Sequence, residues 1–438
     1  DKDLLVARSV NNQWDILGDK SGELYQQAQN EKVLFSSIES LLGGEAEDKF
    51  TIGVNGSITQ INGGGGTGVN WLTGRSEANT WNIDAKNGGS VNYVADFSAI
   101  QNLIGGSEAD DFRLVASGEV SNINGGEGDN RLTARDGVTN NWTISSPNAG
   151  SVSNVADFSN IQSIVGGTGA DEMTFDATGY INNLIDGGGG VDSLDILKLT
   201  SDINILLTQK LSSTPSTLNV VNVETIQANA NKTNTIVGAN AANTWTISGA
   251  NSGNVAPTNN AEIDNSTSFF GFAHILGGDL DDIFVMTSEG KITGTIDGGD
   301  EQSFDEVDYS KQSNVSVDLG LVLNAEKIRG NNQNITLEGS GNNNTWEITG
   351  LNSGTLSEGG NTIYFEDFNL LKGGADTDIF NVTAGGSIGT LINGEMVGRI
   401  DGAEGDDILN VTLAGSEQDQ VNFIGGSHKA GDSIQISG

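Results

Sequence analysis

Asn243-Thr-Trp-Thr-Ile-Ser-Gly-Ala-Asn-Ser-Gly-Asn-Val255 and Asn344-Thr-Trp-Glu-Ile-Thr-Gly-Leu-Asn-Ser-Gly-Thr-Leu356 are two copies of one phrase, set 101 residues apart. The Trp-x-Ile at its centre recurs at Trp14, Trp81 and Trp142. Each tryptophan has a glycine eight residues on (Gly22, Gly89, Gly150, Gly253, Gly354) and an aliphatic residue ten on (Leu24, Val91, Val152, Val255, Leu356). Further out, a phenylalanine precedes a Gly-Gly pair by eight residues: Phe35/Gly43, Phe97/Gly105, Phe158/Gly166, Phe269/Gly277 and Phe365/Gly373. Five residues after the first glycine comes an aspartate (Asp48, Asp110, Asp171, Asp282, Asp378), and two later a large apolar residue (Phe50, Phe112, Met173, Phe284, Phe380). A second glycine turn follows at Gly63, Gly125, Gly187, Gly298 and Gly402. Self-similarity at fixed offsets is the signature of a repeat architecture.

Tryptophans lie 67, 61, 103 and 101 residues apart, while the two glycine turns of a unit are mostly about 20 apart. A 61-residue unit is then three coils of about 20, and the longer units carry inserted coils. The insertions align with one another, from Asp192-Ser-Leu-Asp to Asn222-Val-Glu-Thr-Ile226 and from Asp305-Glu-Val-Asp to Asn324-Ala-Glu-Lys-Ile328. Apolar residues alternate in short runs such as Ile181-Asn-Asn-Leu, Val315-Ser-Val-Asp-Leu and Ile408-Leu-Asn-Val, bounded by Gly, Asn and Asp, which reads as short strands. One segment, Ser21–Asn30, has helical composition and is expected to be a surface excursion. The expected fold class is all-β, a right-handed parallel β-helix (β-solenoid) of about 20 residues per coil. It forms one continuous domain over 1–438, with repeat units beginning near 14, 81, 142, 245 and 346. About 22 coils at roughly 4.8 Å each make a rod about 105 Å long. Glycine supplies the corners, the Phe, Leu and Ile positions an internal column, and asparagines before each Trp suit turns and inter-coil ladders.

Composition narrows the function classes. With 58 acidic against 20 basic residues the net charge is −38, which argues against nucleic acid and anionic membranes as partners. There is no cysteine, and two isolated histidines, His274 and His428, cannot build a multi-histidine centre. No stretch approaches the roughly 20 apolar residues that span a bilayer, so membrane insertion is not expected. The Asp1-Lys-Asp-Leu-Leu start lacks the layout of a signal peptide. Glycine is abundant (62) and proline scarce (3), as regularly spaced turns feeding a continuous ladder require. No nucleophile elbow, Walker loop or H-E-x-x-H occurs, and no basic cluster marks a lyase groove, so no catalytic residue is expected.

The element that bears on chemistry is Gly-Gly-x-x-x-Asp-x-apolar. Gly166-Gly-Thr-Gly-Ala-Asp171-Glu-Met and Gly187-Gly-Gly-Gly-Val-Asp192-Ser-Leu fit the calcium-binding nonapeptide, and Gly402-Ala-Glu-Gly-Asp-Asp407-Ile-Leu nearly does. The versions beginning at Gly43, Gly105, Gly277 and Gly373 lack the fourth-position glycine. Stacked turns with acidic residues in both are the candidate calcium positions: Asp110, Asp111, Asp129, Asp171, Asp192, Asp282, Asp378, Asp406 and Asp407. Two juxtapositions are expected, Asp110/Asp111 above Glu127/Asp129 and Asp171 above Asp192. The alternative role is structural, each Asp capping its turn by accepting backbone N–H bonds without any metal.

The composite of the Asn-Thr-Trp phrase, Phe-x-x-Ile-x-x-Leu-x-Gly-Gly (Phe97 to Gly106) and Gly-Gly-x-Gly-x-Asp-x-Leu resembles the repeat region of giant secreted bacterial surface proteins, the filamentous-haemagglutinin-like and RTX-type adhesins. The resemblance implies an extracellular setting and adhesion, matrix or filament formation, with no catalytic residues to carry over. Asp1 to Trp14 parallels Asp129 to Trp142 at the same 13-residue distance, and the sequence closes just after another turn, Gly425 to Asp432. Copies joined end to end would nearly continue the pattern, so a fragment of a longer array or a head-to-tail filament is expected. The first functional expectation is a non-enzymatic structural filament subunit, biofilm matrix protein or adhesin stalk. The second is a calcium-dependent module that binds or modifies a surface polysaccharide.

Overall fold

In a computed structural model, the structure describes residues 2–26, 31–208, 216–258, 266–299, 303–392, 395–413, 421–427 and 431–437. These residues form short strands, and one 3₁₀ turn, Leu319–Leu321, is the only helical element among them. Contacts divide the chain into two units, 1–229 and 230–438. His428 lies outside the described residues.

In the first unit, strands pair in parallel with later strands at two spacings, 20 to 22 residues in Ser40↔Gln60, Asn102↔Asn122 and Lys49↔Trp71, and 31 to 36 in Asn12↔Asp48, Thr80↔Asp111 and Val120↔Val155. Alternation then places every second side chain inward. One buried column runs in register through Trp14, Phe50, Leu72, Leu103, Ile123 and Phe158. Another runs through Trp81, Phe112, Leu132, Ile164, Ile185 and Val220. The second unit repeats the plan with Trp245, Phe284, Val307, Ile328 and Phe365, and with Trp346, Phe380 and Leu409.

The pairing is not wholly parallel. Each Trp strand reverses and pairs antiparallel with the strand that follows, so that Trp14, Trp81, Trp142, Trp245 and Trp346 face Leu24, Val91, Val152, Val255 and Leu356. The reversal runs through a left-handed residue six positions after each tryptophan: Lys20, Asn87, Asn148, Asn251 and Asn352. Asparagine tolerates that conformation best among residues with a side chain. A third, again antiparallel strand brings Phe35, Phe97, Phe158, Phe269 and Phe365 opposite the recurring glycine. A Cβ at Gly150 would lie 2.0 Å from the Thr143 carbonyl oxygen, which explains why this central position admits nothing larger.

Within each repeat the aromatic positions therefore meet in one cluster. The indoles stack on Phe50, Phe112, Phe284 and Phe380 at 5.4 to 5.7 Å with planes within 16°. The meander phenylalanines meet them edge-on at 5.8 to 6.3 Å. In the third repeat Met173 is in register with Trp142 in place of a phenylalanine. Ser21–Gln26 corrects the expectation of a surface excursion of helical composition. It is the meander strand of the first repeat, with Gly22 and Leu24 buried in the cluster's pattern, and packing overrides its Glu, Leu and Gln content. Residues 27–30 of that segment lie outside the described residues.

Because Trp142 is almost wholly buried, Trp142→Ala should lower unfolding stability by about 3 to 5 kcal/mol, and Trp142→Phe by clearly less. Urea unfolding followed by circular dichroism measures both.

Candidate functional site

The aspartate five residues after each Gly-Gly pair is buried at the turn. A Cβ on Gly105 would meet Asp110 Oδ2 at 2.2 Å and the Gly125 carbonyl oxygen at 2.2 Å, so the turn closes around the carboxylate only with glycine there. Asp110 Oδ1 accepts from Asn79 N (2.8 Å) and Nδ2 (2.7 Å), and Oδ2 accepts from Gly106 N (2.6 Å). Asp378 repeats this with Asn344 N (2.8 Å) and Nδ2 (2.7 Å) and Gly374 N (2.5 Å). Asp48 takes Asn12 Nδ2 (2.7 Å), Trp14 Nε1 (3.2 Å) and Gly44 N (2.8 Å), and Asp282 takes Asn243 N (2.6 Å) and Gly278 N (2.6 Å). The asparagine two residues before each Trp also donates Nδ2 to loop carbonyls, for example Arg75 and Glu77 from Asn79.

The series continues through backbone N–H groups. Asp48 N donates to Asn70 Oδ1 (2.9 Å) and Asn70 N to Gln101 Oε1 (2.8 Å). Asp110 N donates to Asn130 Oδ1 (2.8 Å) and Asn130 N to Gln162 Oε1 (2.8 Å). Acids take the same places elsewhere: Asp171 to Asp192 to Glu224 (2.7 and 2.6 Å), and Asp282 to Asp305 to Glu326 (2.6 and 2.7 Å). The last run is Asp378 to Asp407 to Asp432 (2.9 and 3.0 Å). A polar ladder thus links successive strand layers, each buried N–H satisfied by the next layer's side-chain oxygen. Asn70, Asn130, Asp305, Gln101, Gln162, Glu224, Glu326 and Asp432 are members the sequence reading did not single out. For Asn70, Asn130 and Asp305 the signal was a polar residue five or seven positions after the second glycine turn, as at Gly125/Asn130 and Gly298/Asp305.

Of the candidate calcium residues, Asp110, Asp171, Asp192, Asp282, Asp378 and Asp407 are buried in this ladder. Asp171 and Asp192 are adjacent as expected. The other juxtaposition does not form: Asp110 meets Asn130, while Asp111 pairs with Arg113 and Arg131 (2.5 and 3.0 Å) and Asp129 is exposed. Burial alone would raise the Asp111 carboxyl, but the two guanidiniums outweigh it and hold it below the usual range. Asp406 is half-buried and accepts from Gly431 N at 3.1 Å. Among the described residues no three carboxylates or histidines converge as a metal group, fewer donors than the six to eight oxygens calcium takes.

The fourth-position glycine separates two kinds of turn. Where it is absent, Oδ2 of Asp48, Asp110, Asp282 and Asp378 accepts the second glycine's N–H. At the turns that carry it, Oδ2 of Asp171, Asp192 and Asp407 is buried without a hydrogen-bond partner. Burial raises all three carboxyls, Asp192 to about 7 and Asp407 to about 6, with the neighbouring acids of the ladder adding to the rise at both. Burial also brings Asp282 to about 7. Asn130 shows what a proton does at this height. A Cβ on Gly125 would sit 2.2 Å from Asn160 O and 2.5 Å from Asn130 Nδ2, and Asn130 Nδ2 donates to Asn160 O. On Gly187 the same probe position lies 1.8 Å from Asn222 O and 2.7 Å from Asp192 Oδ2. Asp192 Oδ2 therefore stands where an amide donor stands in the neutral ladder, and a proton makes it the equivalent donor.

A carboxyl whose pKa is higher folded than unfolded contributes stability that is full below the unfolded value near 4 and is lost as pH rises through about 6 to 7. Asp192→Asn and Asp407→Asn should each raise stability, and with it the melting temperature, more at pH 8 than at pH 5, the difference in stability being on the order of 1 kcal/mol per site. Thermal melts of the wild type and both variants at the two pH values test this; equal shifts at both would refute it.

No protein-family description matches the chain, and no curated protein matches it significantly.

Proposed function

We propose that the chain is an extracellular structural protein, a right-handed parallel β-solenoid of about 20 residues per coil, serving as a subunit of a bacterial surface filament, biofilm matrix or adhesin stalk. It stacks head to tail and has no enzymatic activity. The observation that carries the reading is the ladder, in which each layer's buried N–H finds its acceptor in the next layer. Such layers are complete only as members of a stack. The strand Ser433–Ser437 supports extension. Ile434 and Ile436, in register with Leu409 and Val411, are 58% and 67% exposed, an aliphatic face that one more layer of the same kind would cover. The charge of −38 suits a long repetitive β-structure that must stay soluble until it assembles.

A second reading, a calcium-dependent polysaccharide-binding or polysaccharide-modifying module, draws on one observation, the three partnerless Oδ2 atoms of Asp171, Asp192 and Asp407. It requires ligands beyond these, because each turn offers few oxygens. It requires a melting temperature that rises with calcium, falls again with chelator, and no longer responds in Asp171→Asn/Asp192→Asn.

Electron microscopy and sedimentation of the purified chain at rising concentration test the first reading. Rods or fibres are expected for the wild type and single particles for Ile434→Asp/Ile436→Asp. A wild type that stays monomeric throughout would overturn head-to-tail stacking.

A further inference from the structure

The two inserted segments differ in length: 34 residues separate Asp192 from Ile226, but only 23 separate Asp305 from Ile328. In the first unit the longer insertion contributes two stacked parallel strands. Thr217–Val221 pairs on one side with Leu184–Asp186 and on the other with Asn204–Leu206, through Asn204↔Thr217, Ile205↔Leu218 and Leu206↔Asn219. In the second unit the corresponding strands are Ser316–Asp318 and Val322–Leu323, joined by the 3₁₀ turn. Parallel partners need a crossover of about a dozen residues. The 13 residues from Asn204 to Thr217 suffice, whereas the six from Ser316 to Val322 do not. Among the described residues Ser316–Asp318 therefore pairs only with Thr336–Glu338, and Val322–Leu323 only with Ile296–Gly299. Each keeps one open edge.

A cleft lies against each open edge. The larger, about 670 Å³, has a floor of Met286, Ile292, Ile296 and Val317, with Val315 and Leu321 on the wall. The other, about 630 Å³, flanks Val322–Leu323 and reaches Leu356 and Ile363. Exposure shows that the cover is missing. Ile181 is 1% exposed and Val221 2%, while Ile292, in Ile181's place, is half-buried and Leu323, in Val221's place, is 40% exposed. The equivalence follows from the bridges Pro147↔Tyr180 and Ala250↔Lys291, each five residues after its tryptophan.

The first unit shows what fills this space. Thr217, Leu218 and Asn219 lie buried against Asn204–Leu206. Tyr180 Oη donates to the Thr217 carbonyl oxygen (2.7 Å) and Asn219 Nδ2 to the Asn183 carbonyl oxygen (2.7 Å). In the second unit the positions of Tyr180 to Asn183 are Lys291 to Gly294, which line the cleft. We propose that this cleft is a strand-acceptor groove that binds an extended peptide of a partner protein, added parallel to Ser316–Asp318, with an aliphatic side chain in the place Leu218 holds in the first unit. The open edge offers backbone donors and acceptors at strand spacing, and the aliphatic floor reads the alternate side chain. A folded second copy cannot donate its own Thr217–Val221, because all five residues are buried there. The inference stands independently of the filament reading.

The test is fluorescence anisotropy with the full chain and a labelled peptide copying Ser216–Val221, Ser-Thr-Leu-Asn-Val-Val. Saturable binding is expected, weakened at least tenfold by Ile292→Asp, by Val315→Asp, and by Leu→Asp in the peptide itself, a change that leaves the protein's folding untouched. N-methylation of the peptide's backbone amides should weaken it similarly. Absence of saturable binding at millimolar peptide, or binding indifferent to the peptide's Leu→Asp change, would overturn the proposal. Self-association of the protein that the peptide dissolves would assign the groove to a second copy and overturn it equally.

Discussion

A buried backbone N–H must find an acceptor, and for the aspartate that closes each glycine turn of this chain the acceptor of its own N–H is a side-chain oxygen on the next layer. The turn itself cannot supply it, since its carbonyls are taken up by the asparagine before each Trp and by the neighbouring strands. The side chain that closes the gap has to be polar and placed at one height, which leaves Asp, Asn and, at the end of four of the five runs, Gln or Glu. Much else depends on this. The glycines are small because the carboxylate and the next carbonyl fill their Cβ positions, and the Trp strand starts where it does because its asparagine is held by the same carboxylate. Polar order at the turn and aromatic packing two residues later are one structure.

The sequence made the aromatic part of that structure legible. Trp keeps a fixed offset to its Gly and its Val or Leu, and the meander Phe a fixed offset to the second Phe, because the members of each set pack in one cluster. The direction of the strands was not legible. Period-two alternation is the same for parallel and antiparallel partners, so the meander after each Trp left no pattern of its own beyond the left-handed Asn at the reversal. The Ser21–Gln26 strand was hidden for a related reason, since its local composition points to a helix and only Gly22 and Leu24 betray the cluster.

The candidate site was legible in half. The Asp of each Gly-Gly element stood out because glycine marked it, and the adjacency of Asp171 and Asp192 followed from turn spacing. What the spacing could not tell is that Asn70 and Asn130 hold the same height as Asp192 and Asp305, because an amide and a carboxylate read as different motifs while performing one hydrogen-bonding task. Nor could it show that Asp111, one residue from a buried ladder member, faces outward to two arginines. Neighbours on a strand belong to opposite faces, and a cluster of acids in sequence is split by the pleat.

The tryptophan clusters have a further consequence for how such a chain finds its register. Ladder rungs are nearly interchangeable: a strand displaced by one layer would still find an Asp or Asn at the proper height. The indoles are not interchangeable, since Trp81 matches the flat face of Phe112, whereas the next partner along that column is Leu132. A slipped layer keeps its hydrogen bonds and loses its aromatic fit, so the sparse tryptophans act as a vernier on a scale whose finer divisions look alike. Mispairing is penalised once per repeat and not once per layer, which leaves the correct register the one arrangement where both scales agree.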